Sequence, residues 1–313
     1  MPADEDNPEV AFKTHPLDRD PTRPNPMAWE EYASNVRHQW TDLLARDPAE
    51  REVHEFLELH PSMIPGGSGD VGPGGHHGSD FGVVFSQPRL VGAGRAREPD
   101  FLWVTRSTGL VTPILVEIEK PSKRWFNKDG TPNASFVQAH DQLNEWRAWF
   151  AKPGNDAIFR ERFMLAGETY DHRPLQPQYV LVYGRQSEFE PSDQTHDDPR
   201  ALLGKRDLQA LGGESFMTYD SLRPRYDHSN SLTVKMRARG PKAVAFSPVY
   251  GTGDESGALA LRVRGLETAL NRSVMMTVER RAYLAERLAH WQRVEEERRK
   301  DTKSMHLRST GVE

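Results

Sequence analysis

The chain is predicted to be an α/β protein, a mixed central sheet flanked by helices. Two observations carry that prediction. Short apolar runs rich in β-branched residues, Ile114–Ile118 and Tyr179–Tyr183, have the length and composition of buried strands. Around them lie segments with apolar residues at helical spacing, Trp29, Tyr32, Val36, Trp40 and Leu43 in one, and Ala139, Leu143, Trp146 and Phe150 in another.

Along the chain, residues 1–27 are polar and Pro-rich and are expected to form a loosely ordered arm. Trp29–Leu44 reads as an amphipathic helix docked on the main domain. Asp47 and Pro48 carry the N-cap and first-turn signals of a second helix, on which Glu52, Phe56 and Leu59 share a face. An acid at such a border is ordinarily a solvated rim residue. Gly66–Gly78 holds His76-His77 but lacks both the Lys and Ser/Thr of a phosphate loop and a second ligand pair, so it reads as a plain loop. Phe81–Phe85, Pro99–Val104 and Ile114–Ile118 are three successive strands. Asn133 is expected to cap a helix running through Phe150, with Gln138 and Gln142 one turn apart beside its buried stripe. A short helix near Ile158–Leu165, a strand at Tyr179–Tyr183, a helix at Asp198–Leu211 and a strand at Glu214–Tyr219 follow. Leu232–Met236 and Ala243–Phe246 read as short strands. Thr277–Arg299 reads as a long charged helix of the kind that meets another subunit or protrudes. This divides the chain into an arm and docking helix (1–45), an α/β domain (46–225) and a C-terminal extension (226–313).

Composition removes several function classes. Lys and Arg number 41 against 46 Asp and Glu, a net charge of −5, so no global basic field surrounds the protein. Contact with nucleic acid then has to come from a local patch and from metal. Without cysteine there is neither a disulfide nor thiolate chemistry, which fits a reducing cytoplasm. The acidic start Met1–Asp6 has no hydrophobic core region, which argues against a signal peptide. No run approaches the roughly 20 apolar residues of a membrane span. A soluble cytoplasmic protein with no membrane partner is expected. Nothing resembling a nucleophile elbow supports a Ser-His-Asp hydrolase.

The chemistry concentrates at the end of the third strand. A buried run should not carry Glu117, Glu119 and Lys120 unless they have partners or a metal, because buried charge is costly. Side chains alternate, so Glu117 and Glu119 share one face and Lys120 takes the other. Asp100 stands at the mouth of the preceding strand. Asp100 and Glu117 side by side form a pair of hard oxygen donors that suits Mg²⁺. Beyond Pro121 the run Ser122–Gly130 carries Lys123, Arg124 and Lys128, interleaved with Trp125 and Phe126. Such a run is either a solvated loop or a set of phosphate contacts, with an exposed aromatic able to stack on a base.

Pro99-Asp100 followed by Glu117-Ile118-Glu119 resembles the signature of the PD-(D/E)xK phosphodiesterases. Joined with the Glu52 helix ending in Phe56–Pro61, then Gln142–Trp146, Tyr179–Arg185 and Thr218–Leu222, it is similar over roughly residues 46–225 to the nuclease domain of the Shedu antiviral defence family. The resemblance implies a restriction-endonuclease-like fold and Mg²⁺- or Mn²⁺-dependent hydrolysis of double-stranded DNA. It implies Asp100 and Glu117 as metal ligands, Glu52 as a further ligand or water-bridging acid, and Gln142 near the active site; a homo-oligomer is expected alongside, in keeping with the long charged helix at Thr277–Arg299. The family pattern places Lys two residues after the Glu, where this chain has Glu119. Three readings stay open: Glu119 serves as ligand or general base, Lys120 swings in if Pro121 or a bulge breaks the pleat, or the site is degenerate and the protein senses DNA or a protein partner without cutting.

Overall fold

The computed structural model describes residues 23–67, 70–72, 79–163, 165, 170, 172–253 and 256–300. Most of the expected arm, residues 1–22, and the His76-His77 pair lie outside them. Helix α1 (Trp29–Ala45) buries Tyr32, Val36, Trp40 and Leu44 at the expected spacing. It is tied down where Trp40 Nε1 donates to the Tyr219 carbonyl at 3.1 Å.

Helix α2 (Glu50–Leu59) starts later than Asp47-Pro48 suggests. Asp47 has φ 48°, in the left-handed region, so the chain turns there before the helix begins. Ala49 then occupies the cap position without a side-chain acceptor. The Glu52 carboxylate instead reaches back to accept from Ala49 N at 2.8 Å, half of a capping box.

Strands β1 (Ser79–Ser86), β2 (Phe101–Arg106) and β3 (Val111–Ile118) form an antiparallel meander. Helix α3 (Ala134–Phe150) opens with the Asn133 side chain accepting from Ser135 N, as expected. Helix α4 (Asn155–Arg162) leads to β4 (Gln178–Val182), which lies parallel to β3. Helix α5 (Pro199–Asp207) and β5 (Glu214–Met217) follow, both ending earlier than the sequence suggests, with β5 parallel to β4.

Strands β6 (Leu232–Arg237) and β7 (Gly240–Phe246) join this same sheet. β6 lies parallel to β1 with Val84 opposite Thr233, giving one mixed seven-stranded sheet in the order β5-β4-β3-β2-β1-β6-β7. Residue 225, the expected domain edge, therefore falls between strands of one sheet. Helices α6 (Ser256–Arg262), α7 (Leu266–Arg272) and α8 (Val278–Lys300) complete the fold. α8 folds back on the chain's own helices, burying Leu284, Leu288 and Trp291, while Val278 stays outside its stripe. Gly257 permits the close approach: a Cβ there would lie 2.4 Å from the Trp291 carbonyl oxygen.

Strand alternation divides the interior into two cores. Phe101, Trp103, Ile114, Val116 and Val182 pack against α1 and α2 on one face. Leu102, Leu115 and Leu181 pack with Phe136, Leu143 and Phe159 of α3 and α4, and with Leu270 and Leu284 of the C-terminal helices, on the other. Among the described residues no helix is long and apolar enough to cross a membrane.

Candidate functional site

The register of β2 and β3 sets the site. Phe101 faces Val116, and one further step places Asp100 opposite Glu117. Asp100 Oδ2 accepts from Ile118 N at 2.9 Å, and its carbonyl accepts from Gln87 N at 2.7 Å, so both ends of the residue are held. The Asp100 and Glu117 carboxyls are within hydrogen-bonding reach of each other. Glu117 is 8% exposed, and its Oε2 is buried without a hydrogen-bond partner. Burial pushes the Asp100 carboxyl up to about 7, against the pull of the Ile118 N–H. Burial, then the charges of Asp100, Glu119 and Glu50, lifts Glu117 well above the usual carboxylate range.

Glu119 continues the same face beyond the strand end. Its N–H donates to the Val182 carbonyl at 3.1 Å, and its carbonyl accepts from the Tyr219 hydroxyl. Its side chain meets the Lys123 ammonium. The turn Lys120-Pro121-Ser122-Lys123, closed by Lys123 N to the Lys120 carbonyl at 3.0 Å, folds Lys123 back over Glu119. Proline at the second position presets such a turn. Lys120 does not swing in. The pleat holds through Ile118, and the Lys120 ammonium lies 3.1 Å from Asp47 Oδ2, away from the carboxylates.

The acid that α2 contributes is Glu50, not Glu52. Glu52 is exposed and spent on capping, whereas the Glu50 carboxyl is pushed up by partial burial and then by the charge of Glu119. One turn further along α2, His54 stacks on Phe101 with centroids 4.7 Å apart. Its Nδ1 lies 3.6 Å from Glu58 Oε1 and its Nε2 4.0 Å from Asp100 Oδ1. Burial lowers the His54 pKa against the attraction of Glu58, keeping the ring neutral near pH 7. Sequence reasoning passed over Glu50 and His54. Their visible signal was an acid and a histidine one turn apart at the start of a helix.

Gln142 is half-buried on α3, and among the described residues no hydrogen bond joins it to the carboxylates. Arg124 is held by Asp193 at 2.5 Å, with Glu188 3.9 Å away, rather than reaching outward. Lys128 is exposed. Trp125 and Phe126 do not offer a stacking surface: they are 0% and 1% exposed, because the loop turns both rings into the α3 core beside Phe136 and Phe189. Buried Glu188 fastens that loop by accepting from Trp125 N at 2.9 Å and Phe126 N at 3.0 Å.

Among the described residues no group of three or more carboxylate or imidazole side chains is arranged to hold a metal. The pair Asp100 and Glu117 nevertheless fits a hard divalent cation. Both donors are oxygen, one buried oxygen lacks a partner, and both carboxyls resist ionisation without a counter-charge. Mg²⁺ commonly binds through one or two carboxylates and fills its other positions with water.

No curated protein matches the chain. The family model described as Shedu protein SduA, C-terminal, matches residues 47–222, a span that contains Glu50, Asp100, Glu117, Glu119 and Lys123. With more than half of its length matched, the chain belongs to the Shedu family of antiphage defence proteins.

Proposed function

We propose that this protein is a divalent-cation-dependent deoxyribonuclease of the PD-(D/E)xK type, hydrolysing phosphodiester bonds in double-stranded DNA as its part in defence. The observation that carries this reading is the Asp100–Glu117 pair, two carboxyls side by side at the open ends of adjacent strands with pKa values raised by burial. Such perturbed pairs cluster at catalytic sites. Asp100 and Glu117 would hold Mg²⁺ or Mn²⁺. When bound, the cation supplies Lewis-acid chemistry, activation of water and neutralisation of phosphate charge.

The chain's own residues supply the rest. Glu119 is the carboxylate placed to accept a proton from the attacking water, its backbone fixed by Val182 and Tyr219. Lys123 brings an ammonium to the same carboxylate from the turn, supplying the positive charge that the Glu-Ile-Glu sequence leaves out. It is positioned to orient water or to meet charge developing on the phosphate. Neutral His54 lies between Glu58 and Asp100, where it limits the charge next to the cation site.

One observation favours a second reading, a nuclease fold that senses DNA without cutting: the Glu119 carboxylate is engaged by Lys123 rather than open. A plasmid-cleavage assay with Mg²⁺, Mn²⁺ and EDTA separates the two. Metal-dependent cutting, lost in both Asp100→Ala and Glu117→Ala, is the expected result. Intact plasmid under every condition, with DNA still bound, would leave the sensing reading in its place.

A further inference from the structure

Two clefts meet beside Asp100. The first, about 550 Å³, is walled by Glu50, His54 and Asp100, with Gln87 and Lys235 at one side. The second, about 320 Å³, shares Gln87 and Lys235 with it and continues between Arg89, Arg162 and Arg237. The Lys235 ammonium is spent on Glu58, 2.5 Å away. The three arginines are different. Among the described residues none has an ion-pair partner, and only Glu98 offers a carboxylate in the same cleft.

This arrangement runs against the rest of the molecule. A chain of net charge −5 gathers three guanidinium groups that have no ion pair among the described residues around one carboxylate, in a cleft that shares Gln87 and Lys235 with the one lined by Asp100. Like charges so gathered repel one another unless an anion lies among them. Gln87, at the junction, is held at φ 47°, a backbone conformation that non-glycine residues rarely adopt and that often marks a functional position. Its N–H is bonded to the Asp100 carbonyl, coupling the junction to the carboxylates.

We propose that the Arg89–Arg162–Arg237 cleft is a track for the sugar-phosphate backbone of the DNA whose scissile phosphate lies at Asp100 and Glu117. The track rests on the nuclease reading for its ligand, but its residues are separate from those that would cut. Guanidinium groups match phosphate oxygens in a two-point geometry that suits such a role. Arg237 and Lys235 come from β6, beyond the span that the family model matches, so the extension of the sheet by β6 supplies one wall.

The test is binding of a fluorescein-labelled DNA duplex by the full chain in EDTA, followed by anisotropy across a KCl series. Arg89→Ala and Arg237→Ala should each weaken binding and reduce the slope of log K against log salt by about 1, the signature of one lost phosphate contact. Arg200→Ala, an equal change of charge on exposed α5, should leave the slope unchanged. The wild-type slope surviving in both cleft variants, or a fall of equal size in Arg200→Ala, overturns the track. So does a wild-type chain that binds no duplex at any salt concentration. The two readings fail separately. Reduced slopes without metal-dependent cutting keep the track and remove the nuclease, and cutting with unchanged slopes does the reverse.

Discussion

The Lys123 ammonium rests on the Glu119 carboxylate from the turn after β3, while Lys120, adjacent to Glu119 in sequence, faces Asp47 on the opposite side. The two lysines are therefore expected to differ in their effect on catalysis. Lys123→Ala should lower metal-dependent cleavage roughly 10²-fold, the usual scale for a positioned acid–base or electrostatic group. Lys120→Ala should lose only a solvent-exposed ion pair of little consequence for stability, and cut at close to the wild-type rate. Single-turnover rates at saturating Mg²⁺ check this, and equal sensitivity at the two positions would refute it.

The Asp100 carboxyl gives a pH dependence that needs no activity assay. Its value rises from 3.8 to about 7 on folding, so the folded state holds the proton more tightly than the unfolded state. The associated stability is complete below the unfolded value and is lost as pH rises through about 7. At about 1.4 kcal/mol per pH unit the displacement corresponds to something on the order of 4 kcal/mol. In EDTA, Asp100→Asn should therefore raise Tm relative to wild type at pH about 8, and do so far less at pH about 5. Mg²⁺ should raise the wild-type Tm at the higher pH and leave that of Asp100→Asn nearly unmoved, since a ligand that binds only the folded state stabilises it. A Tm difference between the two proteins that is flat with pH would contradict the burial account.

Much of this site was legible because strands write their geometry into sequence with a period of two. The apolar runs around Asp100 and Glu117 fixed which acids share a face, and β2–β3 pairing brought them together. Less was legible where a backbone turn resets the phase. Asp47-Pro48 is a strong helix-start signal in isolation, but the left-handed φ at Asp47 delays α2 until Glu50, which turns Glu52 to the cap and Glu50 to the cluster. The place of Lys123 over Glu119 depended likewise on the turn at Pro121, which the strand pattern does not contain. Trp125 and Phe126 look like surface residues among cations, yet Glu188, more than sixty residues away, anchors their backbone so that both rings enter the core. The pairing of β6 with β1 is of the same kind, a non-local contact that no window of sequence contains.

The exchange of roles between Glu50 and Glu52 predicts opposite phenotypes for two acids on the first turn of one helix. Glu52→Ala removes the acceptor for Ala49 N and should cost about 1 kcal/mol of stability, with cleavage unaffected. Glu50→Gln removes a negative charge that raises both Asp100 and Glu117. Both carboxyls then ionise more readily, so the acid limb of the pH–rate profile should move to lower pH. Chemical denaturation and pH–rate profiles of the two variants distinguish these effects, and an acid limb that stays in place in Glu50→Gln would remove Glu50 from the cluster.

Gly184 tests whether the Lys123 turn is held from below. It follows β4 with φ 59°, and a Cβ there would lie 2.8 Å from both the Lys123 carbonyl oxygen and Trp125 Nε1. Gly184→Ala thus combines a left-handed conformation, about 1–2 kcal/mol for an ordinary residue, with an overpacked contact worth a further ~1–3 kcal/mol. The nearest atoms belong to the backbone and to a buried indole, so relief requires moving the turn that carries Lys123. Cleavage should fall along with stability. A fall in stability alone would lower the rate only through the folded fraction, so rates are compared at a temperature where both proteins are fully folded. The double variant with Lys123→Ala then decides the mechanism. If Gly184 acts through Lys123, the pair cuts no more slowly than Lys123→Ala alone, the non-additivity expected of residues in contact. Gly109→Ala, where an added Cβ meets nothing within 4 Å, should be neutral in both measurements. Fully additive losses in the double variant would show that Gly184 supports the fold without setting the position of the Lys123 ammonium.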